Sequence, residues 1–144
     1  MKIMFVCSGN TCRSPMAQAI MMDALKKRNI ENVYVESSGL FCREGDPISS
    51  GAKNALNSMG IDFESTSKAL TKDDINNCDY IICMTPSHKK ALDGVVPSDK
   101  LFTMNELSEM GDISDPFGQS DEVYLKTASQ IKSAINVIIS KIIK

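Results

Sequence analysis

The amino-acid sequence predicts a doubly wound α/β domain built on a parallel sheet. Short, nearly all-apolar runs at residues 3–6 and 80–84 read as strands covered on both faces, as parallel strands are. Helical patterns alternate with such runs through short connections, in the βαβαβ order of this class. The length of 144 residues suits a single domain, residues 1–144.

Each element has its own local reason. Residues 2–6 form the first strand. Residues 14–29 form a helix in which Met16, Ala17, Ile20, Ala24 and Leu25 make an apolar stripe. Lys26, Lys27 and Arg28 sit in its last turn, where cations suit the dipole, and Ser14 fits the N-cap with Pro15 at the first helical position. Residues 33–37 form the second strand. The loop 38–45, with Gly39 and Gly45, leaves the C-terminal end of that strand, the edge where open α/β sheets place their sites. Leu40 and Phe41 in this loop read equally well as core anchors or as a wall beside the site.

Asp46-Pro47 is expected to open a second helix that buries Ile48, Ala52, Ala55, Leu56 and Met59 and stops at Gly60. Thr71 to Asp74 resembles a capping box and starts a short helix ending near Asn77. Residues 80–84 form the third strand, and Thr85-Pro86 starts a short helix to about Leu92. Residues 101–103 form the fourth strand, 104–109 a helical turn, and 111–119 a loop rich in Gly, Asp and Pro. Ser120 caps the last helix. Asp121 and Glu122 favour its start, and Lys141 and Lys144 its end. Its Tyr124, Ala128, Ile131, Ile135, Ile138 and Ile142 recur at steps of four and three, one helix face.

Composition excludes several function classes. A net charge of −2 leaves no basic excess for a nucleic-acid backbone. The longest apolar runs fall far short of the ~20 residues of a membrane span. The first strand starts almost at once, so no signal peptide is expected. Five cysteines in such a chain read as reduced thiols of the cytoplasm rather than as a disulfide framework.

The chemistry is expected in residues 6–15, Val-Cys-Ser-Gly-Asn-Thr-Cys-Arg-Ser-Pro. Strand, tight loop and helix start make an anion site, because unpaired N–H groups and the positive helix end point into the loop. Gly9 permits a left-handed or tight backbone there. Cys7 and Arg13, with five residues between them, can set a sulfur beneath a phosphorus and a guanidinium over two of its oxygens. The helix end, the N–H groups and Arg13 all favour the thiolate, and Ser14 can donate its hydroxyl to it. A bare Cys-x5-Arg pattern often means only a buried thiol and a surface charge. Here strand, Gly, Cys, Arg, Ser-Pro and helix arrive in order.

These residues resemble the signature of the low-molecular-weight protein phosphatases, Cys7-x5-Arg13-Ser14-Pro15. A second mark of that family stands as Asp115-Pro116-Phe117. The resemblance covers the whole chain and implies four parallel strands in the order 2-1-3-4 with helices on both faces. Thr11 resembles the branch that removes phosphate from arginine in proteins, where tyrosine-directed members typically carry a bulky aliphatic residue. The resemblance implies a thiophosphate intermediate on Cys7, with oxyanion binding by Arg13 and by residues 8–14. It also implies Asp115 as general acid and then base.

Substrate contacts are thus expected from Ser8, Gly9, Asn10, Thr11, Cys12, Ser14, Leu40 and Phe117. Asp112 and Asp121 are the competing carboxylates. Asn10 is expected to shape the loop. Many members of the family carry a supporting His where this chain has Ser65. Cys12 reads as a packed thiol or as a resolving cysteine for oxidised Cys7, and the second is preferred. Cys78, Cys83 and His88 have unusual spacing for zinc and read as core packing, and His88 is given no catalytic role. No metal or cofactor is expected.

The expected function is a cytoplasmic protein-arginine phosphatase acting on phosphorylated proteins and releasing inorganic phosphate, with no nucleic-acid or membrane partner. Tyrosine phosphatase is the alternative within the fold. A thiol-dependent arsenate reductase would need two further cysteines just after the third strand, where residues 84–88 read Met-Thr-Pro-Ser-His. A non-catalytic phosphate-binding module would not require Cys7, Arg13 and Asp115 together.

Overall fold

The computed structural model describes residues 1–143, so Lys144 at the expected helix end lies outside the described residues. Four parallel strands form one sheet in the order β2-β1-β3-β4, where β1 is Lys2–Cys7, β2 Tyr34–Gly39, β3 Tyr80–Cys83 and β4 Leu101–Thr103. The helices are α1 Arg13–Lys27, α2 Ser50–Ser58, α3 Lys72–Asn77, α4 Pro86–Ala91, α5 Met104–Ser108 and α6 Asp121–Ile142. The α/β class is the one the sequence predicts, and the strand order is the one the family resemblance implies.

Side chains alternate across a strand, so β1 feeds two cores. Ile3, Phe5 and Cys7 face α1, α2 and α6. Met4 and Val6 face Ile75, Leu92 and Val96 on the other side. The α6 stripe is buried as the periodicity requires, with Ile142 at its last position only partly so. Each fully buried Ile there contributes about 1.5–3 kcal/mol.

Two strand ends and two helix starts differ from expectation. Strands β1 and β2 run on to Cys7 and Gly39, where those two residues pair across the sheet. Helix α1 begins one residue early, with Cys12 at its N-cap, so Ser14 lies inside the first turn and its hydroxyl is spent elsewhere. Asp46-Pro47 does not open α2. Pro47 bridges Thr66, and Ile48 N–H donates to Ser65 O, which holds this segment extended. Ser49 caps α2 instead, accepting from Ala52 N–H, while its own N–H donates to Thr11 O. The capping boxes at Thr71–Asp74 and Thr103–Glu106 start α3 and α5.

Candidate active site

Cys7 ends β1 and Arg13 opens α1, so the residues between them must turn the chain within one short loop. The first N–H groups of α1 lack partners inside the helix and are free for an anion. Asn10 makes the turn in the left-handed region, at φ 55°. Gly9 is not in that region. A Cβ on it would meet only Thr11 Oγ1, at 3.8 Å, so its backbone freedom is not what the turn uses. The glycine that matters sterically is Gly39, where a Cβ would stand 2.7 Å from Ser8 O and 3.1 Å from Asn10 Cβ. Strand β2 can therefore press against the loop. Leu40 N–H donates to Cys7 O and Phe41 N–H to Ser8 O, tying the two loops together.

Beneath the loop runs a buried polar network. Asn10 Nδ2 donates to Ser14 Oγ at 2.8 Å and Ser37 Oγ at 3.0 Å, and its Oδ1 accepts from Lys68 N–H at 3.0 Å. Ser37 Oγ donates to Gln18 Oε1 at 2.7 Å. Ser14 Oγ lies 2.9 Å from Cys7 Sγ and 3.4 Å from Ser38 O. Ser14 accepts from Asn10 and has a single hydrogen to give, with Cys7 Sγ and Ser38 O both within its reach. Ser65, which stands where many members of the family carry a supporting His, gives Asn10 no hydrogen bond. Ser65 Oγ is buried without a partner, and the Ser37–Gln18 pair holds Asn10 instead.

Arg13 is buried, and its Nη1 donates to Ile113 O at 3.0 Å. Its Nη2 lies 3.7 Å from Asp115 Oδ2. Asp115 is half-exposed, and its Oδ1 accepts from Phe117 N–H at 3.1 Å, which fixes the carboxylate over the loop. The competing carboxylates lie elsewhere. Asp121 accepts from Asn54, and the Asp112 carbonyl is held by Gln130. A cavity of about 240 Å³ is lined by Cys7, Ser8, Gly9, Thr11, Cys12, Arg13, Phe41, Asp115 and Phe117.

Phe41 (80% exposed) and Phe117 (70%) flank its mouth. Leu40 instead packs against the second core and Phe41 takes the wall, so the two readings of that loop divide between neighbours. Asn10 and Ser14 act from below rather than in the cavity wall. Cys12 Sγ lies 3.3 Å from both Ser49 Oγ and Tyr124 OH. Burial pushes the Tyr124 phenol up to about 12. Another cleft, beside Lys27, Arg28 and Lys132, is lined by no cysteine, serine, threonine or histidine.

His88, given no catalytic role from the sequence, stands against the loop. It is buried, with Nε2 2.9 Å from Ser8 Oγ. Cys78 and Cys83 lie in the second core, away from any shared ligand set with it. The legible signal was positional, since in the order 2-1-3-4 the segment after β3 adjoins the loop after β1.

No helix among the described residues is long and apolar enough to cross a membrane. A family model described as low molecular weight phosphotyrosine protein phosphatase matches residues 2–144. The chain is 37% identical to a protein-arginine-phosphatase of Geobacillus stearothermophilus, covering 98% of this chain and 95% of that one. It is 36% identical to the low molecular weight protein-tyrosine-phosphatase PtpB of Staphylococcus epidermidis, over 96% of each. Its structure is similar to that of the YwlE arginine phosphatase C7S mutant with a phosphorylated active-site serine. The TM-score is 0.92 at 31% identity, over 99% of this chain and 98% of that one.

Proposed function

The chain belongs to the low molecular weight phosphotyrosine protein phosphatase family, and from that premise we propose that it is a cysteine-dependent phosphatase of phosphoarginine in proteins. The carrying observation is Thr11. It lines the cavity two residues before Arg13, where a side chain can face the leaving group. Its hydroxyl can pair with a guanidinium, whose N–H groups would lose hydrogen bonds against an apolar wall.

Cys7 Sγ attacks phosphorus in line. The P–N bond breaks as Asp115 gives its proton to the departing guanidine nitrogen. Arg13 and the loop N–H groups stabilise the equatorial oxygens. Asp115, now a carboxylate, takes a proton from water. That water attacks phosphorus, the S–P bond breaks, and phosphate leaves. The five cysteines are free thiols, which fits a reducing compartment such as the cytoplasm.

The second reading, a tyrosine phosphatase, is favoured by Phe41 and Phe117, which offer a phenol ring two flanking faces. The ratio of kcat/KM on phosphoarginine and phosphotyrosine peptides decides between them. The wild type should prefer phosphoarginine. Thr11→Ile should move the ratio toward phosphotyrosine by about tenfold to hundredfold, the effect of leaving a polar substrate group unpaired. An unchanged ratio would remove Thr11 as the selector.

A further inference from the structure

His88 has no part in the steps above, yet its imidazole is packed against the loop that carries them. Helix α4 follows β3 at the C-terminal edge of the sheet, and this sets the ring beside Ser8. The ring is 5% exposed. Its Nε2 lies 2.9 Å from Ser8 Oγ, and its Nδ1 lies 3.1 Å from Thr85 Oγ1. Thr85 Oγ1 in turn lies 2.9 Å from Ser87 Oγ. Thr85 holds the N-cap of α4 but makes no side-chain cap bond, so its hydroxyl is left to Ser87 and His88.

Burial, and then the nearby Arg13 charge, lower the imidazole pKa to about 4, against a smaller opposing pull from Asp115. Near neutral pH the ring therefore has one N–H and one lone pair. Two arrangements of hydrogens satisfy it. In one, Ser8 donates to Nε2 and turns its oxygen lone pairs to the cavity. In the other, Thr85 donates to Nδ1 and Nε2–H donates to Ser8, which frees the Ser8 hydrogen. Ser8 lines a cavity built around Arg13 and a helix start, both suited to an anion. Lone pairs aimed at phosphoryl oxygens would repel them, whereas a hydroxyl hydrogen adds a donor.

We propose that His88 is a positioning residue for the phosphoryl cradle: it donates from Nε2 to Ser8 Oγ and so directs the Ser8 hydroxyl hydrogen onto the bound phosphoryl group. Ser87, Thr85, His88 and Ser8 then donate in one direction, and each bond polarises the next. The inference rests on the phosphatase reading but not on the leaving group, so an aryl phosphate ester and inorganic phosphate are sufficient probes.

Turnover of the ester or of a phosphoarginine peptide by wild type tests the phosphatase reading alone, and the absence of both would overturn both. Inhibition by inorganic phosphate is then compared in wild type, Ser8→Ala, His88→Phe, the double variant and His88→Gln. Ser8→Ala and His88→Phe should each raise the inhibition constant roughly tenfold, as loss of one hydrogen bond to a charged group does. The double variant should be no worse than either, and His88→Gln, with an amide N–H near the place of Nε2, should recover most of the loss. Additive losses, or a Gln variant as weak as Phe, would overturn the proposal.

The chain has a single histidine, so nitrogen-15 histidine labelling gives one imidazole spectrum. It should show the Nε2–H tautomer at neutral pH and a shift on saturation with phosphate. An Nδ1–H tautomer, or no shift, would overturn the proposal even if His88→Phe failed to fold.

Discussion

Asp115 and Arg13 stand at opposite ends of a polar contact that is too long for a strong hydrogen bond, 3.7 Å. That spacing leaves both groups free to meet substrate. A general acid contributes typically ~10²–10⁴-fold to turnover. Asp115→Asn should therefore cut kcat on a phosphopeptide by that order. Because the side chain is half-exposed, the melting temperature should barely move. Asp112→Asn should leave kcat intact, since that side chain is absent from the cavity wall. The reverse pattern would reassign the acid. Cys7 and Arg13 were singled out by their spacing and Asp115 by the family resemblance, and the fold brings all three to one cavity. Leu40 was not separable from Phe41, since both are apolar and adjacent in one loop.

Helix α2 shows how an element feeds the site. Gly51 lies on the face packed against α6, where a Cβ would stand 2.3 Å from Tyr124 Cδ2. Tyr124 OH in turn contacts Cys12 Sγ. Two effects of Gly51→Ala oppose each other. Ala gains up to ~1 kcal/mol of helix propensity, but overpacking a tight interface costs typically ~1–3 kcal/mol. The steric effect should win, so the midpoint of chemical denaturation should fall. A higher midpoint would mean that α2 and α6 yield easily. The start of α2 was misread because Asp46-Pro47 has good N-terminal chemistry locally. Only its pairing with residues 65–66 holds it extended.

Across the whole molecule, burial of one imidazole couples folding to pH. The unfolded chain binds the His88 proton with an ordinary pKa near 6.5, while the fold lowers it to about 4. Between those values the unfolded state carries more protons, so stability falls as pH falls. The His88 contribution is complete above ~6.5, and on the order of 2–3 kcal/mol is lost by pH ~4. Glu36 and Glu106 are held below their usual range, mainly by bonds from Lys2 and Lys89, and lose their contributions at lower pH. Urea unfolding from pH 7 to 4 should therefore show a decline that His88→Gln removes. Parallel declines in the two proteins would place the acid sensitivity elsewhere.

The amino-acid sequence by itself determined the parallel sheet, the tight loop between Cys7 and Arg13 and the last helix, since each rests on short-range order. Apolar runs, a five-residue gap between Cys7 and Arg13, and a helical period are all legible within a few turns of chain. The tertiary structure alone decided what stands behind that loop. Ser37 and Gln18 support Asn10 from below, Gly39 lets β2 close against Ser8, and His88 reaches a residue 80 positions away. Those partners are polar or small residues with no periodicity of their own. They acquire a role only when parallel pairing of β1 with β2 and β3 brings three separate loops to one edge of the sheet.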